Sequence, residues 1–331
     1  MMAARRHLDP LIGRQLVPGR CQPPHRKGPG GDASLVAAPM ANSPKLLRYP
    51  DRGRLLVAAD LHGNLRDFLT IVARFEGMGD DAHLLFLGDL LHGPLLEPAA
   101  WPKMPTEPSL LHGRPYRDES PAIILGLQLL AERHPGRVLS LLGNHEHAHI
   151  GGPRTAVFAR DEAGALEQRL GLENSVWLAG YLKSLPLWAI APCGVLFSHA
   201  APAAELTSLG ELEAIDYRRY ATAKGGDARS RAAKPAKPGE AAARLLGQLL
   251  WERALPPFKA QALLGVAGAQ MVVYGHAVIP TGYQTIGYEQ LILSSSFAME
   301  DEHKKVLELD LSATYLTVED LRPGTEILPL Y

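Results

Sequence analysis

The sequence predicts an α/β fold, and two features of residues 54–142 indicate it. Short apolar segments, typical of buried strands, recur along this stretch. Between them lie longer segments whose apolar residues fall on one face of a helix. The predicted strands of this region are Leu55–Ala59, His83–Gly88 and Arg137–Leu142.

Two helices are predicted between these strands. Asn64 is the expected cap of the first helix, which places an apolar face between Leu65 and Phe75. Ser120 and Pro121 begin the second helix as its cap and its first-turn proline. Further strands are predicted at Leu187–Ala191, Val195–His199, Gln270–Gly275, Leu291–Ser295 and Lys305–Leu311.

Composition excludes several classes of protein. The 331 residues include 34 Lys or Arg and 35 Asp or Glu, so the charge balance favours neither nucleic acid nor an anionic membrane as a partner. The longest mostly apolar stretch is about 12 residues, whereas a spanning helix needs roughly 18. Only two cysteines are present, which excludes a disulfide framework and predicts a reducing, cytoplasmic location.

The chain is predicted to begin with a disordered basic leader at residues 1–48. This segment is rich in Pro, Gly and Arg and carries eight Lys or Arg against two Asp. A nucleic-acid-binding arm is the alternative, but the segment has no aromatic residues. Met40 is a second candidate start. Residues 49–331 are the predicted folded domain, with mobile loops at 94–117 and 221–240.

Polar residues follow the ends of several predicted strands. In α/β folds such residues converge on one edge of the sheet, where sites are built. Asp, Asn and His offer oxygen and imidazole ligands, which suit Mn, Fe or Zn. An extended Asp-x-His segment would point both side chains to the same side. The clusters are Asp60-Leu61-His62-Gly63-Asn64, Gly88-Asp89 and Gly143-Asn144-His145-Glu146, and His199 and His276 follow two later strands.

The order of these five blocks, DLHGN, GD, GNHE, SH and YGH, resembles that of the calcineurin-like metallophosphoesterases. It extends over residues 60–276. The resemblance implies a central β-sandwich flanked by α-helices on both sides, a four-layer αββα fold, with a two-metal centre that hydrolyses phosphate esters. The last block continues as Ala277-Val278 without a second histidine. That ending is more similar to the Ser/Thr protein phosphatase branch, which includes bacterial diadenosine tetraphosphatase relatives.

The resemblance also implies a role for each matching residue. A hydroxide that bridges the two metals would attack phosphorus, and His145 would protonate the leaving oxygen. The expected ions are two manganese, with iron or zinc as alternatives. Asp60 and His62 would bind one metal, Asp89 would bridge both, and Asn144, His199 and His276 would hold the second.

The chain departs from the branch pattern after Asp89. His92 stands where relatives have the aspartate that orients the catalytic histidine, and Gly93 replaces a phosphate-binding arginine. A neutral imidazole can accept a hydrogen bond from His145, so His92 is a candidate catalytic residue. Arg253, in Trp251-Glu252-Arg253, is the candidate replacement for the arginine, the alternative being a plain surface helix. Arg114 and Arg117 are weaker candidates, and His147 and His149 are expected to have surface or supporting roles.

These observations favour a phosphatase that hydrolyses phosphate monoesters, with phosphoserine or phosphothreonine as a candidate substrate. The first alternative is a pyrophosphohydrolase that cleaves dinucleoside polyphosphates. The second is a catalytically weak module that binds phosphorylated ligands, suggested by the change at His92 and Gly93. The expected partner is a phosphorylated protein or small molecule, and the oligomeric state is left open.

Overall fold

Two β-sheets lie face to face in the computed structural model, which describes residues 44–95, 116–217 and 240–331. In chain order the strands are β1 (Leu46–Arg48), β2 (Arg54–Ala58), β3 (Ala82–Phe86), β4 (Val138–Ser140), β5 (Trp188–Ala191), β6 (Val195–Ser198), β7 (Met271–Tyr274), β8 (Tyr283–Ile286), β9 (Gln290–Leu293), β10 (Lys305–Asp310) and β11 (Ile327–Pro329). One sheet has the order β1-β5-β6-β7-β9-β8. The other has the order β11-β10-β2-β3-β4.

Helices cover the outer face of each sheet. They are α1 (Leu65–Glu76), α2 (Ser120–Arg133), α3 (Asn144–His147), α4 (Glu162–Leu182), α5 (Gly210–Glu213), α6 (Glu240–Leu250) and α7 (Pro257–Ala267). On one side α1 contacts β3 and α2 contacts β4, whereas on the other side α7 contacts β7. Within the described residues, none of these helices is both long enough and apolar enough to cross a membrane.

The core is layered because side chains alternate along each strand. In β2, Leu55 and Val57 point into the apolar core between the two sheets, which also contains Phe197 of β6. The intervening Leu56 belongs to the apolar cluster under the helices, together with Phe68 of α1. The expected β-sandwich with helices on both sides is therefore confirmed.

Parallel pairing determines where the polar strand ends meet. β2 pairs in parallel with β3, and β3 with β4, so their carboxyl ends lie at one edge of the five-stranded sheet. β6 and β7 are also parallel to each other, and they end at Ser198 and Tyr274. The backbone N–H of His62 donates to the Asp89 carbonyl at 2.9 Å, and that of Gly275 donates to the His199 carbonyl at 2.8 Å. These contacts join the loops that carry the signature residues.

The structure corrects several sequence-based boundaries. Residues 46–48, expected in the leader, form β1 and pair in parallel with β5. The rest of the leader up to residue 43 lies outside the described residues, as do most of the two predicted loops, at 96–115 and 218–239. Ser120 is the first residue of α2 rather than its cap, which is Glu119. The strands β8 and β11 were not predicted, because each is short and one is largely exposed.

Candidate metal centre

A cavity of about 410 Å³ opens at the edge where the signature loops meet. It brings together most of the residues that the sequence singled out, although these are up to 216 positions apart. His199 lies fully buried directly behind the cavity, with its Nε2 2.9 Å from Oδ1 of Asn144. The sequence-predicted residues in the cavity wall are Asp60, His62, Asp89, Asn144, His145, Arg253 and His276.

Asp89 lies at the centre of the candidate ligands. Its Oδ2 is 3.7 Å from Nε2 of His62 and 3.5 Å from Nε2 of His199. Ligand atoms of Asp89, His199 and His276 lie within 4.8 Å of one another, and so do those of Asp89, His62 and His145. The Asp89 carboxylate is thus between two groups of ligand atoms, as a bridging ligand must be.

The backbone at this edge is unusual. Asp60, His62, Asp89 and His276 all have left-handed backbone angles, with φ of 53°, 45°, 51° and 64°. Such angles cost energy in residues other than glycine and are concentrated at functional sites. The sequence-based argument that Asp60 and His62 lie on an extended segment is therefore wrong. Both residues reach the cavity because the chain turns sharply there, rather than because of strand alternation.

Two glycines are required by the close approach of carboxylates. A Cβ atom on Gly275 would lie 2.5 Å from Oδ2 of Asp60, and one on Gly143 would lie 2.2 Å from Oδ1 of Asp89. Neither carboxylate could keep its place beside a larger residue. The backbone N–H of His276 donates to both oxygens of Asp60, at 3.1 and 3.0 Å, and the N–H of His145 donates to Oδ1 of Asp89 at 3.0 Å.

Backbone carbonyls fix the orientation of the three candidate ligand histidines. Nδ1 of His62 donates to the carbonyl of His92 at 3.1 Å, and Nδ1 of His199 donates to that of Leu87 at 3.0 Å. The ring of His276 is similarly hydrogen bonded to the carbonyl of Trp251. Since a carbonyl only accepts, the rings of His62 and His276 hold a proton on that side and present the other nitrogen as a lone pair. This is the usual arrangement of histidines that bind metals. Nε2 of His199 faces the amide of Asn144 at 2.9 Å.

The buried carboxyl groups create a need for positive charge. Burial, reinforced by the nearby Asp89, raises the pKa of Asp60 well above its ordinary value. Burial also raises the pKa of Asp89 to about 7, although the hydrogen bond from the His145 backbone opposes it. Divalent ions would supply the missing charge, because carboxylate oxygens and imidazole nitrogens are suitable ligands. The residues present therefore fit a metal centre.

Glu146 connects the loop after β3 to α3. Its carboxylate accepts hydrogen bonds from the backbone N–H groups of Asp89, Leu90 and Leu91 and of Gly143, at 2.8 to 3.1 Å. Burial raises its pKa to about 8. Glu146 thus holds Asp89 and the start of α3 in a fixed relation, which explains why the block reads Gly-Asn-His-Glu.

His145 faces both the cavity and a buried polar cluster. Its ring lies 4.6 Å from that of His62, centroid to centroid, and the two planes are nearly perpendicular. On its other side, Nδ1 is 3.0 Å from Nδ1 of His92 and 3.4 Å from Oε2 of Glu162. The sequence predicted that His92 would lie beside His145. It did not predict Glu162, which belongs to no recognisable motif and is the first residue of α4.

Two arginines line the cavity. Arg253 lies there as expected, with an exposed side chain. Arg154, in the loop after α3, was missed because a single arginine in a Gly-Pro loop carries no recognisable pattern. Arg117 is paired with Glu119 and is not part of the cavity wall, and Arg114 lies outside the described residues.

The two histidines after the GNHE block are buried rather than on the surface. His147 is fully buried, and its Nε2 donates to the carbonyl of Tyr217 at 3.2 Å. His149 lies between His92 and Glu167, with 2 % of its side chain exposed. Of the two expected roles, surface and supporting, the structure excludes the first.

The sheet edge, its buried carboxylates and its oriented histidines define a metal-dependent hydrolase. A family model, that of the calcineurin-like phosphoesterases, matches residues 53–280, which is more than half of the chain. The chain therefore belongs to the calcineurin-like phosphoesterase family and is a metal-dependent phosphoester hydrolase.

Solved structures show the same fold. A protein serine/threonine phosphatase from Saccharomyces cerevisiae, with similarity to human phosphatase PP5, aligns with a TM-score of 0.54 and 16% identity, covering 81% of this chain and 77% of that one. A cold-active protein-tyrosine phosphatase from a psychrophilic Shewanella species aligns with a TM-score of 0.53 and 16% identity, covering 81% and 78%. No curated protein matches the sequence significantly. At this identity the likeness establishes the fold and not the substrate.

Proposed function

We propose that this protein is a two-metal phosphatase that hydrolyses phosphate monoesters of alcohols, with phosphoserine or phosphothreonine in a protein as the substrate class. The observation that carries the proposal is the position of His145. Its ring lines the cavity beside His62, and its backbone is hydrogen bonded to Asp89. This position would put a proton donor next to the candidate metal ligands.

The two metals would be held differently, the first by residues that follow strands of the five-stranded sheet and the second by residues from both sheets. His62 and Asp60 follow β2 and would hold one ion, and His199 and His276 follow β6 and β7 and would hold the second, with Asn144. Asp89 would bridge them. Manganese is the proposed ion, since the set has no thiolate and mixes oxygen with imidazole. When bound, two such ions supply charge to the phosphate oxygens and acidify a water for attack.

The presence of a proton donor favours an ester over an anhydride. An alkoxide leaving a phosphate ester is a strong base, so protonation by His145 would accelerate its departure. The group that leaves a dinucleoside polyphosphate is itself a phosphate, which is a weak base and needs little protonation. A buried histidine at this place in the cavity would thus contribute little to a pyrophosphohydrolase.

Arg253 and Arg154 are the proposed phosphate-binding residues. Both side chains line the cavity, and a guanidinium can bind two phosphate oxygens at once. Together they would replace the arginine that relatives carry where this chain has Gly93. Arg154 is 47% exposed and 3.3 Å from Glu167, so it is held near the cavity without being locked away from substrate.

The test is turnover by metal-stripped protein refilled with manganese. A phosphoserine peptide and p-nitrophenyl phosphate should be hydrolysed, and a dinucleoside tetraphosphate should not. Arg253→Ala should lower kcat/KM by roughly 10- to 100-fold, the equivalent of one charge-assisted hydrogen bond. Arg244→Ala is the matched control, because Arg244 is an exposed arginine on α6 that does not line the cavity.

Two outcomes would contradict the proposal. Faster turnover of the dinucleoside tetraphosphate than of the phosphopeptide would favour the pyrophosphohydrolase. Tight binding of the phosphopeptide without turnover of any substrate would favour the binding module. An unchanged kcat/KM in Arg253→Ala would remove Arg253 from the phosphate site.

A further inference from the structure

The buried side of His145 contacts a polar cluster that the metal centre does not use. Nδ1 of His145 lies 3.0 Å from Nδ1 of His92 and 3.4 Å from Oε2 of Glu162, and the hydroxyl of Thr155 is 3.4 Å away. The side chains of His92, His145 and Glu162 are at most 5% exposed. Relatives in this branch have an aspartate at the position of His92.

Hydrogen bonding assigns the protons in this cluster from its outer end inward. The carboxylate of Glu167 can only accept, so Nδ1 of His149, 2.9 Å away, donates to it. Nε2 of a neutral His149 must then accept, and it lies 2.9 Å from Nε2 of His92, which therefore donates. The side chains of His92 and His149 are 1% and 2% exposed, and burial of this kind favours the neutral form of an imidazole ring.

The same reasoning assigns a proton position and a ring orientation to His145. With its proton on Nε2, neutral His92 presents the lone pair of Nδ1. This lone pair can accept the proton on Nδ1 of His145 at 3.0 Å, which is closer than the Thr155 hydroxyl at 3.3 Å. The chain Glu167–His149–His92 thus holds the His145 ring in one orientation, with Nε2 turned towards the cavity. A single aspartate at the His92 position would achieve the same directly.

Glu162 contributes what His92 lacks, a carboxyl group on the buried side of His145. Oε1 of Glu162 accepts a hydrogen bond from the backbone N–H of Val157 at 2.7 Å, whereas its buried Oε2 has no hydrogen-bond partner among the described residues. An unsatisfied buried carboxylate oxygen is unfavourable. Nδ1 of His145 is the nearest nitrogen that could donate a hydrogen bond to it, at 3.4 Å.

We propose that two groups divide the work of the absent aspartate: the chain Glu167–His149–His92 orients His145, and Glu162 returns a carboxyl group beside Nδ1 of His145. Glu162 and His92 are positioning residues, since neither faces the substrate. The inference rests on the proposed function, because it takes His145 as the proton donor.

The experiment compares two substrates in the manganese-loaded enzyme. Glu162→Gln should slow hydrolysis of an alkyl ester, a phosphoserine peptide, by about 100-fold, the lower end of the range for general acid catalysis. Hydrolysis of p-nitrophenyl phosphate should change much less, because its leaving group needs little protonation. His149→Phe, which removes the acceptor for His92, should produce the same contrast with a smaller loss. Glu173→Gln is the matched control, since this carboxylate is exposed on the same helix, α4.

A second variant separates the charge from mere packing. Adding His92→Asp to Glu162→Gln returns a carboxylate to the loop after β3, so it should recover alkyl-ester turnover without changing aryl-ester turnover. Equal slowing of both substrates by Glu162→Gln, or no recovery in the double variant, would overturn the inference. A failure of His145→Ala itself to separate the two substrates would instead overturn the proposed function.

Metal content tests the competing explanation. Nδ1 of His92, Nδ1 of His145 and Oε2 of Glu162 are 3.0 to 3.7 Å apart, which would also suit ligands of a third ion. We expect Glu162→Gln to hold as much manganese and zinc as the unmodified enzyme, by elemental analysis. Loss of one ion per chain in this variant would overturn the positioning role.

Discussion

His147, the last residue of α3, should make the folded protein sensitive to mild acid. Burial lowers the pKa of His147 from its ordinary value of 6.5 to about 4, and the hydrogen bond to the Tyr217 carbonyl opposes this only in part. The same short helix carries Asn144 and His145. Protonation of His147 would therefore disturb the part of the chain on which the candidate metal centre depends.

The direction and the size of this pH effect on the free energy of unfolding follow from the linkage between protonation and folding. Between these two pKa values the unfolded chain binds more protons at this ring than the folded chain, so the free energy of unfolding falls as the pH falls. The contribution is fully present above about pH 6.5 and is lost progressively towards pH 4. From pH 7 to pH 5 the expected loss from this ring is about 2 kcal/mol.

Urea unfolding at the two pH values measures this loss. His147→Gln removes the titrating group and keeps an N–H that can reach Tyr217, so its free energy of unfolding should fall by about 2 kcal/mol less than that of the unmodified protein over the same pH change. Both proteins are measured with EDTA, so that loss of metal does not contribute. His303→Gln is the control, since His303 is exposed. Equal losses in His147→Gln and the unmodified protein would refute the argument.

Three further predictions concern the metal centre and the core. Asp89→Asn should lower the metal content from two ions to less than one per chain by elemental analysis, because both groups of ligand atoms share this carboxylate. The exposed Asp51→Asn should keep both ions. Full metal content in Asp89→Asn would exclude a bridging role. His145→Ala should slow an alkyl phosphate by about 10²- to 10⁴-fold and p-nitrophenyl phosphate far less, and equal slowing in steady-state assays would exclude a proton-donor role. Lys304→Met should lower the free energy of unfolding by about 3–5 kcal/mol, measured in urea, because a buried aspartate would lose its cation and keep only neutral hydrogen-bond donors. The Lys304 Nζ is 2.7 Å from Oδ2 of Asp67, and adding Asp67→Asn should recover part of the loss.

The positions of the candidate metal ligands could be predicted because each immediately follows a strand. Asp60, Asp89, His199 and His276 each come one to three residues after a strand whose apolar sequence is recognisable by itself. Parallel pairing of these strands brings the ends together without any further information. Short sequence patterns were thus sufficient to predict these positions, because pairing in a sheet brings residues that are distant in sequence close together.

The outer strands of the sheets were harder to predict, because their own sequences carry no clear pattern. β1 has only three residues and lies beside a Pro- and Arg-rich segment, so no periodicity could show. β8 is largely exposed and reads Tyr-Gln-Thr-Ile, without the apolar run of a buried strand. Such strands form because a neighbour offers free hydrogen bonds, and that neighbour is distant in sequence.

Glu162 shows why the surroundings of His145 could not be predicted from motifs. The family pattern has an aspartate where this chain has His92. From the sequence alone, only the chemistry of His92 itself could be considered as a replacement. The structure brings a carboxylate to the same histidine from a different element, 70 residues further along the chain. Its backbone anchor is a loop at 155–158, where the N–H of Glu162 donates to the Thr155 carbonyl and the N–H of Val157 donates to Oε1. A charge that acts over 3.4 Å can be supplied by any nearby segment, whereas a metal ligand must come from a loop that the strand order fixes. We therefore expect the loss of a motif residue to abolish function only where no other segment can bring an equivalent group, and at His92 the proposed replacement is the carboxyl group of Glu162.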